Sequence, residues 1–276
     1  MITVKLSEAI KMLRDSGIEN AREEARIIFS ELGGIPRHSL LLGECESSDP
    51  RVLEALRRRS SREPLQYILG EVSFYRERYK VTPDVLIPRS DTELLVEYAI
   101  NNIPEGSLFY DLCTGSGAVA ISTLAGKEST RAIATDISEA TLEVARYNAE
   151  QNRVARRVSF MISDALLPPD GILREDRPFA ILSNPPYVTD SAYLELEKEI
   201  FFEPRRAFVG GADGGDFYRA ITKNYKDIIE PDGFIAYEIG YDQEELIRAV
   251  AEANRMSVSI LHDLSDNPRV AVLKNR

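Results

Sequence analysis

Histidine and cysteine are scarce in this 276-residue chain: His38 and His262 are the only imidazoles, and Cys45 and Cys113 the only thiols. Two cysteines without ligand-like spacing argue against a disulfide framework, and so few histidines argue against a His/Cys metal site or a His-based triad. No apolar run reaches membrane-spanning length, and the first twelve residues lack a signal peptide's apolar core, so a cytoplasmic protein is expected. Basic runs are equally few. Arg57-Arg58-Arg59 is the single one, and it reads as a solvated helix face.

What is present describes an ordinary folded protein. Hydrophobic residues make up 43% and charged residues 29%, which sets the chain apart from disordered sequences. Its length allows one large domain or two smaller ones. The net charge of −11 is uneven: residues 1–70 carry 11 basic and 11 acidic side chains, so the whole excess lies in residues 71–276. An acidic body repels phosphate backbones and argues against a nucleic-acid partner.

Residues 1–62 read as helices. Leu6, Ala9, Ile10 and Leu13 share a face closed by Gly17. Asn20 is placed to cap a second helix with Ala21, Ala25, Ile28 and Phe29 inward, and Asp49 a third with Val52, Leu53 and Leu56 inward. Ser39 to Leu42 reads as an apolar turn. This bundle holds no acid, base or ligand cluster and suits packing or recognition. Residues 71–90 read as a hairpin linker at the domain junction, and Ser90 or Asp91 as the cap of a helix running to Ile100.

From residue 107 strands alternate with helices. Strand-like runs begin at Leu108, Ala132, Val158, Phe179, Phe234, Val258 and Val270. Helical segments are expected at 117–126, 138–151, 191–200, 215–229 and 243–254. The last two strands have only a short connection and should pair antiparallel. The expected fold is α/β: a seven-stranded, mostly parallel, doubly wound sheet. The domains are then 1–70, a small N-terminal helical bundle; 71–90, a linker; and 91–276, the sheet domain.

Ser183-Asn184-Pro185-Pro186-Tyr187 follows the fourth strand. Two prolines stop that strand, because neither can donate to a ladder. An amide, a run of carbonyls and an aromatic ring are thereby presented at the C-terminal edge of the sheet, where such folds bind ligands. A planar amine or amide nitrogen is a poor nucleophile with a delocalised lone pair. The side-chain oxygen of Asn184 and the carbonyl of Pro185 can accept its two N–H groups and aim it, with Tyr187 flat against it. Taken alone, the same residues also describe a strand ended by a proline turn.

Upstream, Asp111-Leu112-Cys113-Thr114-Gly115-Ser116-Gly117 follows the first strand and opens a helix, whose N-terminus offers N–H groups to an anion. Asp136, at the end of the second strand, suits a ribose diol, or caps a helix together with Ser138. Asp164, after the third strand, can accept from an adenine amino group. The turn lacks the full G-x-G-x-x-G pattern of nicotinamide-cofactor folds, since Cys113 stands at the first glycine's place.

This ordered set resembles a class I S-adenosylmethionine-dependent methyltransferase of the amino-methylating kind. The chain as a whole resembles the HemK/PrmC family, protein-(glutamine-N5) methyltransferases acting on peptide chain release factors. The carrying segments are 64–70, 86–93, 111–117, Asp136, 184–187, Glu203-Pro204, Gly210-Gly211-Ala212-Asp213-Gly214 and Glu238-Ile239-Gly240 with Gln243. Asn-Pro-Pro-Tyr is shared with adenine methyltransferases; the Pro-Arg-x-Asp-Thr-Glu and Gly-Gly-x-Asp-Gly segments narrow the match.

The resemblance implies a Rossmann-like class I methyltransferase fold, S-adenosylmethionine as cofactor and S-adenosylhomocysteine as product. Asp111, Cys113, Thr114, Gly115, Ser116 and Gly117 would hold the methionine part and Asp136 the ribose. Asp164, Ala165 and Asn184 complete the cofactor site. Asn184, Pro185, Pro186 and Tyr187 would hold the glutamine of a Gly-Gly-Gln motif in class-1 peptide chain release factors. The N-terminal bundle would help grip that partner, without a metal or a membrane and as a monomer. Cys113 departs from the family's glycine, and Ala165 from its frequent aromatic, and both bear on cofactor affinity. The competing readings are an adenine-N6 methyltransferase acting on a flipped base of DNA or RNA, and a binding module that keeps the fold without transfer.

Overall fold

The computed structural model describes residues 3–167 and 177–276. The chain forms two compact units, Met1–Glu71 with Glu197–Phe202, and Val72–Leu196 with Glu203–Arg276.

The first unit holds strands β1 (Val4–Lys5) and β2 (Glu46–Ser47), paired antiparallel, and helices α1 (Leu6–Asp15), α2 (Ala21–Glu31), α3 (Arg37–Leu42), α4 (Pro50–Ser60) and α5 (Leu65–Leu69). Its core is the predicted apolar faces: Ala9, Leu13, Ile28, Phe29, Val52 and Leu56 are all buried. Asp49 caps α4, accepting from the Arg51 N–H at 2.8 Å, with Pro50 in the first turn. Asn20 makes no such bond, and the expected turn at Ser39 is helix α3.

The arginine run departs from expectation. Arg57 is exposed and pairs with Glu54, but Arg59 is buried. Three residues past Leu56 and seven past Val52, it shares their inward face. Its guanidinium donates to Glu24 at 2.5 Å and to Glu199 at 3.1 Å. Part of the expected helix 191–200 is the cause. The α-helix there is a single turn, α9 (Asp190–Tyr193), capped by the Thr189 hydroxyl; a 3-10 turn, Lys198–Phe202, follows, and Glu197–Phe202 belongs to the first unit.

The second unit begins with strands β3 (Glu71–Phe74) and β4 (Glu77–Lys80), a two-stranded sheet. Residues 72–90 are part of this unit, because Phe74 and Tyr79 are buried in its core and the Tyr79 hydroxyl bonds Ser122 Oγ at 2.6 Å. A short 3-10 turn, Ser90–Thr92, leads into α6 (Glu93–Asn102). Neither Ser90 nor Asp91 caps that helix.

Then follow β5 (Leu108–Leu112), α7 (Ala118–Ala125), β6 (Arg131–Asp136), α8 (Glu139–Gln151), β7 (Val158–Ile162), β8 (Ala180–Ser183), α10 (Asp216–Tyr225), β9 (Phe234–Glu238), α11 (Glu244–Ala253), β10 (Met256–His262) and β11 (Pro268–Asn275). The sheet runs β10-β11-β9-β8-β5-β6-β7, with β11 running against the other six strands. This is the expected seven-stranded, mostly parallel sheet. Every residue of β5, β8 and β9 is buried, as a sheet covered on both faces requires. Alternate side chains feed two cores: Phe109, Leu182 and Phe234 with α6 and α7, and Tyr110, Ile181 and Tyr237 with α10 and α11.

Register sets the site. Leu112 lies beside both Thr135 and Ser183, so the C-terminal ends of β5, β6 and β8 lie level. The order of strands reverses at β5, and the crevice at that switch point is where an open sheet binds ligands.

Candidate active site

The turn after β5 is built on left-handed backbone. Cys113 has φ 59°, Gly115 56° and Gly117 83°. A Cβ on Gly117 would sit 2.8 Å from Ile121 Cδ1 and 3.3 Å from Ala145 Cβ, so this glycine lets α7 and α8 close together. A Cβ on Gly115 would meet nothing within 4 Å, which marks the open side of the turn. Cys113 adopts a conformation that costs a side-chain-bearing residue about 1–2 kcal/mol, which gives glycine at this place a physical reason.

Asp111 braces the turn from inside. Its Oδ2 accepts from the Thr114 hydroxyl at 2.6 Å and from the Ala120 N–H at 3.1 Å. Burial pushes its pKa up to about 7, against those two hydrogen bonds. Asp136 joins the turn to the next strand: its Oδ2 accepts from the Gly115 N–H at 3.2 Å and its Oδ1 from the Ser138 N–H at 3.1 Å. Burial raises its pKa as well. Each carboxylate oxygen keeps a further lone pair. Capping α8 falls to the Ser138 hydroxyl, which accepts from the Thr141 N–H.

A cavity of about 260 Å³ opens beside these residues. Thr114, Gly115, Ser116, Asp136, Asp164, Ala165, Asn184 and Pro186 line it, together with Cys113. Asp111 and Gly117 shape the turn from behind and are not in the lining. Pro185 and Tyr187 also lie outside it, flanking Pro186 in the chain. Leu86, Pro88, Thr92, Thr141 and Arg206 line it too, and the sequence reading gave none of them a role. Glu203 steadies the wall at 86–89: buried itself, it accepts from the Ile87 N–H at 2.9 Å and pairs with Arg89. Among the described residues, no three His, Cys, Asp or Glu side chains gather as metal ligands.

The Asn-Pro-Pro-Tyr corner is held from three sides. The Ser183 hydroxyl donates to the Leu112 carbonyl at 2.6 Å. The Gln243 side-chain amide donates to the Tyr187 carbonyl at 2.8 Å, while its oxygen accepts from Tyr218 and from the Gly240 N–H. The glycine segment forms the third side. Gly210 donates its N–H to the Val188 carbonyl at 2.9 Å, and a Cβ on Gly214 would fall 2.2 Å from the Tyr187 carbonyl oxygen.

Behind the corner sits Glu238, the last residue of β9 and 2% exposed. Its Oε1 accepts from the Tyr187 hydroxyl at 3.2 Å, and its Oε2 bonds the Thr92 hydroxyl. Thr92 Oγ1 in turn accepts from the Asn184 side-chain amide at 3.1 Å. Burial pushes the Glu238 pKa up to about 7. A carboxylate ending the otherwise uncharged Phe234-Ile235-Ala236-Tyr237 was the available signal in the sequence.

Residues 5–70 match the family described as "PrmC N-terminal domain", and residues 90–226 match "Methyltransferase small domain". A "Release factor glutamine methyltransferase" of Moorella thermoacetica is 37% identical over 254 residues, spanning 90% of this chain and 88% of that one. One from Geobacter sulfurreducens is 36% identical, over 85% and 82% of the two chains. Among solved structures, a methyltransferase from Pyrococcus furiosus superposes with a TM-score of 0.51 at 21% identity, covering 72% of this chain and 89% of that one. A ribosomal protein L11 methylase from Lactobacillus delbrueckii subsp. bulgaricus gives 0.51 at 17% identity, over 71% and 84%. These structures share the class I methyltransferase fold of the second unit.

Proposed function

The chain belongs to the release factor glutamine methyltransferase family, and from that premise we propose that it moves a methyl group from S-adenosylmethionine to the side-chain amide nitrogen of the glutamine in the Gly-Gly-Gln motif of class-1 peptide chain release factors. The observation that carries the reading is Asn184: a carboxamide on the cavity wall, its amino group tied to Thr92, opposite a Gly-rich turn.

The cavity suits the cofactor. Residues 114–116 present backbone at the start of α7 for a carboxylate, with the open side of Gly115 giving close approach. Asp136 keeps lone pairs for a ribose diol, and Asp164 and Ala165 form the place for the adenine. When bound, S-adenosylmethionine supplies an electrophilic methyl on sulfur and leaves as S-adenosylhomocysteine.

The protein's part is positioning and charge stabilisation. Asn184 Oδ1 and the Pro185 carbonyl accept the two N–H groups of the substrate amide and leave its lone pair aimed forward. As the new nitrogen–carbon bond forms, positive charge grows on that amide, and both acceptors hold it more strongly. Pro186 and Tyr187 bear on the planar group. The amide nitrogen then gives its proton to water. The helical first unit grips the release factor, a reading supported by its match to the family's N-terminal domain. The reaction belongs to the cytoplasm, where termination occurs.

The test is a mass measurement of a Gly-Gly-Gln peptide or whole release factor after incubation with enzyme and S-adenosylmethionine. One added methyl on the glutamine is expected. Methyl label entering purified nucleic acid, with none in release factor, would reverse the reading in favour of a base methyltransferase.

A further inference from the structure

A carboxamide offers a carbonyl on one side and an amino group on the other, and the two occupy nearly the same volume. Packing alone cannot choose between them. If the amino group of Asn184 faced a substrate amide, two donors would meet and the nucleophile would not be held. Something must fix the orientation.

We propose that Thr92 and Glu238 are positioning residues that turn the Asn184 oxygen toward the substrate, an inference that rests on the amide-methylation reading above. The Thr92 hydroxyl has one proton. Both Glu238 oxygens accept in the ionised form, one from Tyr187 and one from Thr92. That commits the Thr92 proton to Glu238 and leaves Thr92 Oγ1 only lone pairs toward Asn184. The Asn184 amino group must then donate to Thr92 at 3.1 Å, and Oδ1 faces the other way. The chain of bonds is buried at both inner members, since Thr92 is 4% exposed and Glu238 2%.

The same carboxylate organises both polar side chains of the corner. Tyr187 donates to its second oxygen, so the ring that bears on the substrate and the amide that grips it share one anchor. Protonating Glu238 removes an acceptor and supplies a donor, which frees either Thr92 to present its proton to Asn184 or Tyr187 to leave. The charged and titratable groups facing Glu238 are Asp91, which opposes its ionisation, Arg269, which favours it, and the Tyr187 hydroxyl; the Tyr218 hydroxyl lies 3.1 Å from its main-chain carbonyl and shares its one proton between that carbonyl and Gln243 Oε1. The site therefore needs the ionised form.

Thr92→Val keeps the shape and removes the hydroxyl; Thr92→Ser keeps the hydroxyl. Steady-state methylation of a Gly-Gly-Gln peptide, cofactor binding by calorimetry and thermal midpoints are measured for each. Thr92→Val is expected to lower kcat about 100-fold with KM and cofactor Kd within roughly 3-fold, as loss of one oriented acceptor predicts. Thr92→Ser is expected to restore kcat to within roughly 5-fold of the parent. Glu238→Gln, which carries one acceptor and one donor as the protonated acid does, is expected to hold kcat at the low-pH level of the parent throughout pH 6 to 8.5. A folded Thr92→Val or Glu238→Gln enzyme with the parent's kcat would overturn the proposal. A parent enzyme that leaves the peptide unmethylated would instead overturn the reading on which it rests.

Discussion

Gly210 lies so close to Pro186 that a Cβ built on it would fall 2.3 Å from the Pro186 carbonyl oxygen. The glycine segment is thus a template against which the Asn-Pro-Pro-Tyr backbone is pressed, and the backbone supplies one of the two acceptors in the proposed reaction. Gly210→Ala must displace one strand of chain from the other. It is expected to cost about 1–3 kcal/mol, the usual range for overpacking, and to lower kcat as well. Denaturant midpoints together with methylation kinetics check this, and an alanine variant with unchanged kcat would mean that the corner does not depend on this contact.

Asn184→Ala removes a side-chain acceptor without touching the turn that serves the cofactor. Turnover is expected to fall at least about 100-fold while cofactor affinity holds within a few-fold. Calorimetry and single-turnover methylation separate the two. Normal turnover in this variant would refute the assignment of Asn184.

Asp111 gives a pH dependence of known sign. Burial pushes its pKa to about 7 from an ordinary 3.8, so between those values the folded chain holds a proton that the unfolded chain has lost. Its contribution to stability is complete below pH 4 and is lost as pH rises through 7. Asp111→Asn does not titrate but keeps an oxygen for Thr114 and Ala120. The variant's stability relative to the parent is expected to improve by roughly 2–4 kcal/mol between pH 4 and pH 8. Urea unfolding of both proteins across that range measures the difference, and a flat difference would show that Asp111 titrates normally.

Arg59→Ala removes the cation that Glu24 and Glu199 share and leaves Glu199 its pair with Arg62. Because both carboxylates are partly exposed and Glu199 keeps Arg62, the loss is expected to be about 1–3 kcal/mol, and salt should recover little of it. Thermal unfolding at low and high ionic strength tests both parts. Arg57→Ala, whose pair with Glu54 is exposed, serves as the comparison and should leave the thermal midpoint nearly unchanged.

Much of this was legible along the chain because it depends on near neighbours. Short apolar runs placed the seven strands and period-3.6 patterns most of the helices, since a strand covered on both faces is apolar throughout and a surface helix only on its inner face. Two prolines after an apolar strand marked the corner at 184–187, and the Asp111–Gly117 segment marked the turn, because strand ends and tight turns are written in local residues. Where local cues compete, tertiary contacts decide. The pattern at 191–200 is helical in spacing, yet the segment 197–202 gives Glu199 to Arg59, and the single turn ends at Tyr193. Arg59 looked like one of three surface cations until α4 placed it on the face of Val52 and Leu56.

The sequence by itself determined that seven strands alternate with helices from residue 108 onward to make a mostly parallel sheet, and which corner carries an amide and two prolines. Only the tertiary structure decided what stands behind that corner. Thr92 and Asn184 are 92 residues apart, and Thr92 and Glu238 are 146 apart. No spacing predicts such a contact. It exists because β8 and β9 are neighbours in the sheet, which brings the last residue of one strand level with the first residue beyond the other, and because a buried carboxylate must find donors wherever the fold provides them.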